Sequence, residues 1–293
     1  MRTPSRITTW LMLMLLLATG CADQGARDAV TGRDFIAAGQ RFDAGTSVVL
    51  WSDPGGFNAY ETKLPRGGAA ENAKLPPHRF AQRLLTSDPD PAATAPPART
   101  LHDLRSLIDQ IVIHYDGTGT SERCFAVLQK RGLSAHFLID FDGTVYQTLD
   151  LRQRAWHATI SNNRSIGIEI ANLGALPIDK PPSQLDPRGV VPHHSAIVAG
   201  VVQHEKLHQY AFTDAQYDAL AQLVAALRQT FPLITHDCPA DENGVLIPHQ
   251  LTREQWASYR GILGHYHVQA NKVDPGPAFE WKRLAGGPLR GSR

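Results

Sequence analysis

The sequence has little cysteine, little net charge and no apolar run long enough to span a membrane. Its longest apolar run, Trp10 to Ala18, has nine residues, and a membrane-spanning helix needs about 20. Lys and Arg number 29 against 28 Asp and Glu, a net charge of +1. Nucleic-acid binding needs a basic excess or stripe, so we expect no nucleic-acid partner. The composition, 42% hydrophobic and 19% charged, is typical of a globular protein with one large domain or two small ones.

Cysteine occurs three times, at Cys21, Cys124 and Cys238. Without Cys-x-x-Cys spacing the last two make a poor metal site. In an exported protein they could form a disulfide, but the sequence does not show whether their Cα atoms come close enough. Their pairing therefore stays open.

The N-terminus is typical of an export signal. Arg2 and Arg6 precede the short apolar run, which ends in Ala-Thr-Gly-Cys at Cys21. Residues 1–21 are therefore predicted to be a signal peptide, and a cysteine after small residues resembles a bacterial lipobox. Lipidation of Cys21 would anchor the protein to a membrane without a spanning helix, and Ala22 favours the outer membrane, with the protein facing the periplasm. The alternative is a plain cleaved signal with a chance cysteine.

Residues 22–99 are predicted to be an N-terminal extension and linker. Residues 22 to about 45 are small and polar, typical of a tether. Residues 47–60 contain SVVLWSD followed by PGG, which predicts a strand and a turn. Residues 86–99 are rich in Pro, Ala and Asp and indicate an extended linker.

The core is predicted to begin near Leu101 and to mix strands with helices. The β-branched run at 110–116 and the Ile-rich alternation at 165–172 predict strands, and Asp142-Gly143 within 134–149 predicts a hairpin. Residues 213–229 predict a helix, with Thr213 and Gln216 as a capping box. GILGHYHV, residues 261–268, is interpreted as one more strand. This mixture predicts an α/β or α+β fold.

One candidate metal site is HEKLH, residues 204–208, which fits the His-Glu-x-x-His pattern of zinc proteases. The pattern requires a helix, which places both histidines on one face, and a third ligand from another element. His236 and Glu242 are nominal third ligands, although neither lies in a recognisable pattern. The alternative is a chance pair of surface histidines near the end of a helix.

A second candidate metal site combines three distant residues. His114 ends one predicted strand, His265 ends another, and Asp274 follows in an Asp-Pro-Gly turn. Two histidines and a carboxylate form the three-ligand set of a catalytic zinc, which leaves a fourth position for water. Taken singly, each histidine has the simpler interpretation of a hydrogen-bonded core residue.

Five ordered motifs resemble one known family. IVIHYD, SAHFLIDFDGTVYQ, RAWHA, SIGIEIAN and GHYHV…NKVDPGPAFEW follow one another in the chain. In this order they resemble the zinc-dependent N-acetylmuramoyl-L-alanine amidases, a family that includes amidase-type phage lysozymes and animal peptidoglycan-recognition proteins. The resemblance covers about residues 100–283, leaves 284–293 as a tail, and makes 175–210 and 235–258 insertions. It implies a single α/β catalytic domain with a mixed central β-sheet flanked by helices.

The resemblance also implies roles for individual residues. His114, His265 and Asp274 match the zinc ligands, with His267 as the rival of His265 because strand alternation would turn both to one side. Glu169 matches the catalytic glutamate and Lys272 the lysine that stabilises the oxyanion. Relatives contact substrate at the positions of Trp156, His157, Asn163 and Arg164. His136 is expected to be structural, and Ala135 stands where some relatives have a tyrosine.

The activity implied is hydrolysis of the amide between N-acetylmuramic acid and L-alanine of the peptidoglycan stem peptide. Zinc would activate the water, and Glu169 would take its proton. HEKLH then becomes a coincidence in an inserted helix or loop. Two alternatives remain, a zinc endopeptidase using His204, Glu205 and His208, and a non-catalytic peptidoglycan-binding module. The sequence leaves open whether the substrate is intact sacculus, soluble fragments or anhydro-muropeptides.

Overall fold

A computed structural model describes residues 32–61, 79–86, 95–180 and 196–285. The predicted signal peptide, Cys21 and the residues after 285 lie outside these ranges. Twelve strands are found within them: β1 Gly32–Ala37, β2 Gln40–Leu50, β3 Phe80–Gln82, β4 Gln110–Tyr115, β5 Phe137–Ile139, β6 Val145–Gln147, β7 Gln153–Ala155, β8 Ser165–Ile170, β9 Ala175–Pro177, β10 Ile197–Val202, β11 Glu205–Tyr210 and β12 Gly261–Gly264. The α-helices are α1 Leu101–Leu107, α2 Ser121–Lys130, α3 Asp214–Thr230, α4 Arg253–Ser258 and α5 His265–Val268.

Seven strands form one mixed sheet in the order β1-β2-β6-β5-β8-β4-β12. The three strands at its β12 end, β8, β4 and β12, run parallel, and β5 and β6 form an antiparallel hairpin around Gly143. Gly143 has a φ of 85°, which the predicted Asp-Gly turn requires. The fold is α/β, with a mixed sheet flanked by helices, as the sequence predicted.

Side-chain alternation along the central strands separates a core face from a site face. Ile111 and Ile113 of β4 are fully buried in the main core, together with the isoleucines of β8 and residues of α1 and α3. Val112 and His114 point to the opposite face, which α2 and α4 cover. Because His114 pairs with Glu169 of β8 in register, the two side chains are neighbours on the site face.

The helix predicted at 213–229 is α3. Thr213 caps it, accepting from the Gln216 main-chain N–H, while the Gln216 side chain accepts from the Thr213 N–H. Its apolar stripe packs in the main core beside β2. The predicted capping box and helix are confirmed. Within the described ranges, no helix has the length and apolar character needed to cross a membrane.

Residues 22–99 were predicted to be an N-terminal extension and linker, but the described part of this region contributes strands to the large sheet. Residues 32–50 form β1 and β2, which complete the large sheet through the pairing of β2 with β6. Residues 32–45, expected to be part of a tether, therefore lie in strands, and Phe35 is fully buried. The short strand β3 pairs with β7, just before the RAWHA histidine. The sequence did not predict these strands, because turns and a bulge interrupt the alternation of apolar and polar residues along them.

Four of the five HEKLH residues lie on a strand. The helix that the zinc-protease pattern requires is therefore not present, and that interpretation is wrong. Glu205 to His208 belong to β11, which pairs with β10 and β9 in a separate three-stranded sheet. His204 lies in the preceding turn with a φ of 66°. His204 is exposed in that turn and His208 is buried in the small sheet, so the two histidines do not share the one-sided placement that the zinc-protease pattern needs. The described part of the first predicted insertion, 175–210, forms this small sheet. The helix α4 lies in the second predicted insertion, 235–258.

GILGHYHV is only half strand, contrary to its interpretation as one strand. β12 ends at Gly264, and residues 265–268 form the single turn α5. His267 therefore does not share a side with His265. Its Nδ1 accepts from the Gly264 N–H and its Nε2 donates to the Ile247 carbonyl, at 2.9 and 2.8 Å. His267 is thus a structural histidine, and burial lowers its pKa to about 3.

Candidate metal centre

Three side chains converge at the end of the parallel strands. His114 lies on β4, His265 follows β12 directly, and Asp274 comes from the loop after α5. Their donor atoms form a nearly equilateral triangle: His114 Nδ1 to His265 Nδ1 is 3.0 Å, and Asp274 Oδ2 is 2.9 Å from each nitrogen. All three residues are buried. Within the described residues this is the group of His, Cys, Asp and Glu that could hold a metal ion.

A close approach of the backbone fixes the aspartate. A Cβ on Gly264 would lie 2.7 Å from Pro275 Cδ, so only glycine lets the Asp-Pro-Gly turn pack against β12. The Tyr266 N–H also donates to the Asp274 carbonyl at 3.1 Å. These two contacts hold the carboxylate beside His265.

The outer nitrogens of the two histidines are also engaged. His265 Nε2 lies 2.6 Å from Gln269 Oε1, an acceptor, so this nitrogen carries the proton and Nδ1 presents a lone pair. His114 Nε2 lies 3.0 Å from His157 Nδ1. His157 Nε2 is 3.2 Å from Ser165 Oγ, whose hydroxyl donates to the Ser161 carbonyl at 2.7 Å.

This series of hydrogen bonds determines which nitrogen of His157 and of His114 carries the proton. Because the Ser165 proton is used at Ser161, the Ser165 oxygen accepts from His157 Nε2, and His157 Nδ1 accepts from His114. His114 Nδ1 is then left unprotonated toward the triangle. The site thus offers two imidazole lone pairs and a carboxylate, and the outer nitrogen of each histidine is held by a hydrogen bond. This set of donors fits zinc well.

The electrostatics of the triangle agree with a cation site. Burial, then the neighbouring His265, lowers the pKa of His114 to about 4, so its ring is neutral at pH 7. Burial alone would raise the pKa of Asp274, but the two histidines outweigh it and hold that pKa below its usual range. A neutral imidazole and an ionised carboxylate are the forms that bind metal.

A cavity of about 290 Å³ opens above the triangle. Glu169 and Lys272 line it together with Trp156 and His157, so four of the predicted site residues meet the three predicted ligands there. Burial, then Asp274 and Asp116, raises the pKa of Glu169 well above its usual value, while Lys272 opposes the shift. A carboxylate with a raised pKa beside a metal site is suited to accept a proton.

Asn163 and Arg164 do not line this cavity, contrary to their prediction as substrate contacts. Asn163 binds the backbone of the N-terminal segment, donating to the Leu84 and Thr86 carbonyls. Arg164 forms a buried bidentate pair with Asp109, at 2.7 and 2.5 Å. Their side chains are thus occupied in holding the fold together.

His136 has the structural role predicted for it. It is fully buried, accepts from the Gly167 N–H through Nδ1 at 3.0 Å, and has Nε2 at 3.0 Å from the Gln153 carbonyl.

Cys124 and Cys238 are both buried and free, so the disulfide left open by the sequence is not formed.

Some residues of the site were not predicted from the sequence. Asp116 and Arg131 line the cavity, and Gln269 orients His265. Asp116 could have been found, because it lies two residues after His114, directly beyond the end of β4. Gln269 lies four residues after His265, the spacing of one helical turn. Arg131 follows the last turn of α2, and no sequence pattern marks it.

A buried triangle of two histidines and an aspartate that could hold a metal ion opens to a cavity with a glutamate and a lysine, an arrangement suited to hydrolysis. Comparison with known families then places it. The family model described as N-acetylmuramoyl-L-alanine amidase matches residues 104–277. The chain belongs to this family.

Curated relatives include 1,6-anhydro-N-acetylmuramyl-L-alanine amidase AmpD from Haemophilus influenzae, 28% identical over 160 residues, which are 54% of this chain and 60% of the relative. AmpD of Escherichia coli is 27% identical over 169 residues, 55% of this chain and 61% of the relative. The chain thus spans about 60% of the length of these relatives. Among solved structures, E. coli AmiD in complex with an anhydro-muramyl tripeptide substrate has a TM-score of 0.40 at 21% identity, covering 66% of this chain and 59% of that one.

Proposed function

We propose that the protein is a zinc-dependent N-acetylmuramoyl-L-alanine amidase that acts on peptidoglycan or its muropeptides. The observation that carries the proposal is the triangle of His114, His265 and Asp274 donor atoms, about 3 Å apart, at the base of a cavity that also contains Glu169. Family membership supports the bond to be cleaved, the amide between N-acetylmuramic acid and L-alanine.

The roles of the residues follow from their positions. Zinc held by the three ligands would supply Lewis-acid chemistry at the base of the cavity. Glu169, with its raised pKa, takes a proton from the attacking water and passes it to the leaving amine of L-alanine. Lys272, half-buried at the cavity wall, stabilises the charge that develops on the amide oxygen. Trp156 offers an indole surface to the substrate.

The substrate form is proposed from the relatives. The two relatives described above are each named 1,6-anhydro-N-acetylmuramyl-L-alanine amidase. We therefore expect soluble anhydro-muropeptides to be cleaved, and intact sacculi provide the comparison.

The cellular location is proposed from the N-terminal sequence alone. A signal peptide that ends at Cys21 would deliver a lipid-anchored protein to the periplasm, at the outer membrane. Replacing Cys21 with alanine would then release the protein into the soluble fraction. If the C21A protein fractionates with membranes as the wild type does, the anchor is wrong.

Product analysis tests the activity. The mature protein is incubated with purified sacculi and with soluble anhydro-muropeptides, each with and without a chelator, and the products are identified by mass spectrometry. Peptides that begin at L-alanine, absent under chelator, are expected. Cleavage within the peptide would indicate an endopeptidase, and binding without any release would indicate a recognition module, so either result would overturn the proposal.

A further inference from the structure

Arg83 is a fully buried arginine that follows β3 in the N-terminal region. Its guanidinium donates to main-chain carbonyls: Nε to Leu151 at 2.8 Å, Nη1 to Asn163 at 2.8 Å and to Asn162 at 3.2 Å, and Nη2 to Ser165 at 2.8 Å. Nη2 also lies 2.9 Å from His136 Nε2. A planar guanidinium can satisfy several acceptors in fixed directions at once, which an ammonium cannot. Arg83 therefore fixes the path of the chain at these positions.

Three of these carbonyls belong to the segment of residues 157–165, which leads from β7 into β8. Within this segment the Asn162 side chain closes a tight loop, because its Oδ1 accepts from the N–H groups of His157 and Ala158, at 3.1 and 2.7 Å. Arg83 holds the Asn162 carbonyl, and Asn162 holds the His157 backbone. The guanidinium is thus connected to His157 through one residue.

His157 is in turn the partner of a metal ligand. Its Nδ1 lies 3.0 Å from His114 Nε2, and its ring rests on Gly167, where a Cβ would lie only 2.6 Å from the ring. The ring has no room to shift toward the strand, so its position depends on the backbone of the 157–165 segment. A displacement of that backbone would remove the acceptor that orients His114.

We propose that Arg83 is a positioning residue for the catalytic centre, holding the 157–165 segment so that His157 keeps the His114 ring turned toward the metal. The inference rests on the proposed zinc site, but it does not depend on which substrate is cleaved. It gives the N-terminal region a role in the chemistry, although that region contributes no ligand.

The same segment of chain contains a matched control. Arg79, three residues before the end of β3, is also buried, at 6% exposure. Its Nη2 donates to the carbonyls of Asn58, Ala59 and Glu61, at 3.3, 3.1 and 3.4 Å. These carbonyls belong to a turn outside the 157–165 segment. Arg79→Lys and Arg83→Lys thus make the same chemical change in a similar buried setting, with different carbonyl partners.

The experiment compares the full-length R83K and R79K proteins with wild type. Zinc affinity is measured by competition with a chromophoric chelator, and amide hydrogen exchange is followed by mass spectrometry on the zinc-free protein. R83K is expected to bind zinc about 10- to 100-fold more weakly, the usual cost of losing an outer partner of a ligand, and to exchange faster in 157–163. R79K is expected to keep its zinc affinity within about threefold of wild type and to exchange faster at residues 58–61.

A second variant covers the case that R83K does not fold. Asn162→Ala removes the link to His157 while leaving the Arg83 charge and its carbonyl contacts in place, and we expect a similar loss of zinc affinity. R83K or N162A with wild-type zinc affinity would overturn the proposal, whatever its melting temperature. If wild type binds zinc but cleaves no muropeptide, the proposed activity fails and the positioning role is still tested. If wild type binds no zinc, both fail.

Discussion

Glu169 carries a carboxyl group in surroundings that disfavour its charge. It lies on a fully buried strand beside His114, and two further carboxylates, Asp274 and Asp116, act with burial to raise its pKa. An isolated buried glutamate between isoleucines would be costly, so its position on this strand indicates a functional group. Its place on the site face follows from the two-residue period of the strand, so the sequence could predict it.

Replacing Glu169 with glutamine keeps the shape of the side chain and removes its ability to carry a proton. We expect kcat on muropeptides to fall by about 10²- to 10⁴-fold, the usual contribution of general acid–base catalysis. Zinc content should be unchanged, because Glu169 is not in the ligand triangle. A variant that keeps kcat within tenfold of wild type would show that another group moves the proton.

His136 illustrates a histidine whose neutral form the fold requires. Burial, then the adjacent Arg83, lowers its pKa well below the ordinary value, and its Nδ1 already accepts a main-chain N–H. Between that folded pKa and the unfolded value of about 6.5, the unfolded chain binds a proton that the folded protein does not. The contribution to stability is therefore complete above pH 6.5 and is lost as the pH falls.

We expect His136→Asn to have a smaller pH dependence of unfolding than wild type between pH 7 and pH 5. The difference should approach about 1.4 kcal/mol per pH unit, the value for one proton. Urea unfolding at several pH values measures it, and the comparison of slopes remains valid if the variant is less stable overall. Parallel plots for the two proteins would mean that His136 takes up its proton as readily in the folded protein as in the unfolded chain.

At the scale of elements, the sequence predicted best where a regular period was uninterrupted. The strands that carry His114 and Glu169, the hairpin at Gly143 and the capped helix α3 all agree with their patterns. Prediction failed where contacts between residues distant in the sequence determine the local structure or the partners of a side chain. HEKLH has the spacing of a helical motif, yet its pairing with the apolar strand β10 makes it a strand. Asn163 was predicted from the resemblance alone, and its partners come from a segment about 80 residues earlier.

The junction of β12 and α5 offers a test at this scale. Gly264→Ala places a methyl group against Pro275 and should displace the loop that holds Asp274. We expect zinc affinity to fall about 10-fold or more, as for other changes that shift a ligand. Chelator competition measures the affinity. Gly32→Ala is the control, because a Cβ there meets its nearest atoms only at 4.0 Å. Equal affinities in the two variants would show that the loop tolerates the displacement.

At the scale of the whole molecule, the first two strands belong to the catalytic fold. The Gln147 side chain donates to the Ile36 carbonyl and accepts from its N–H, and Asp150 accepts from the N–H groups of Ala38 and Gly39. The side chains of Phe35 and Val48 are fully buried in the main core. The sequence could not show this, because the partners of these strands lie between 97 and 112 residues later.

Two truncated chains distinguish a tether from a part of the fold. A chain that begins at residue 32 should melt near the temperature of the mature protein. One that begins at residue 51 should fail to fold cooperatively or should melt at least 10 °C lower, because it loses two strands and their buried side chains. Thermal melting followed by circular dichroism decides between them. Similar melting curves for both chains would contradict the integrated sheet.

The central claim is that the triangle of His114, His265 and Asp274, and not HEKLH, is the catalytic metal centre. The most direct measurement is a side-by-side assay of wild type, His114→Ala and His204→Ala, recording bound zinc and the release of peptides that begin at L-alanine. We predict that H114A loses both zinc and release, while H204A keeps both at wild-type levels. Loss of zinc and activity in H204A, with H114A still active, would contradict the account.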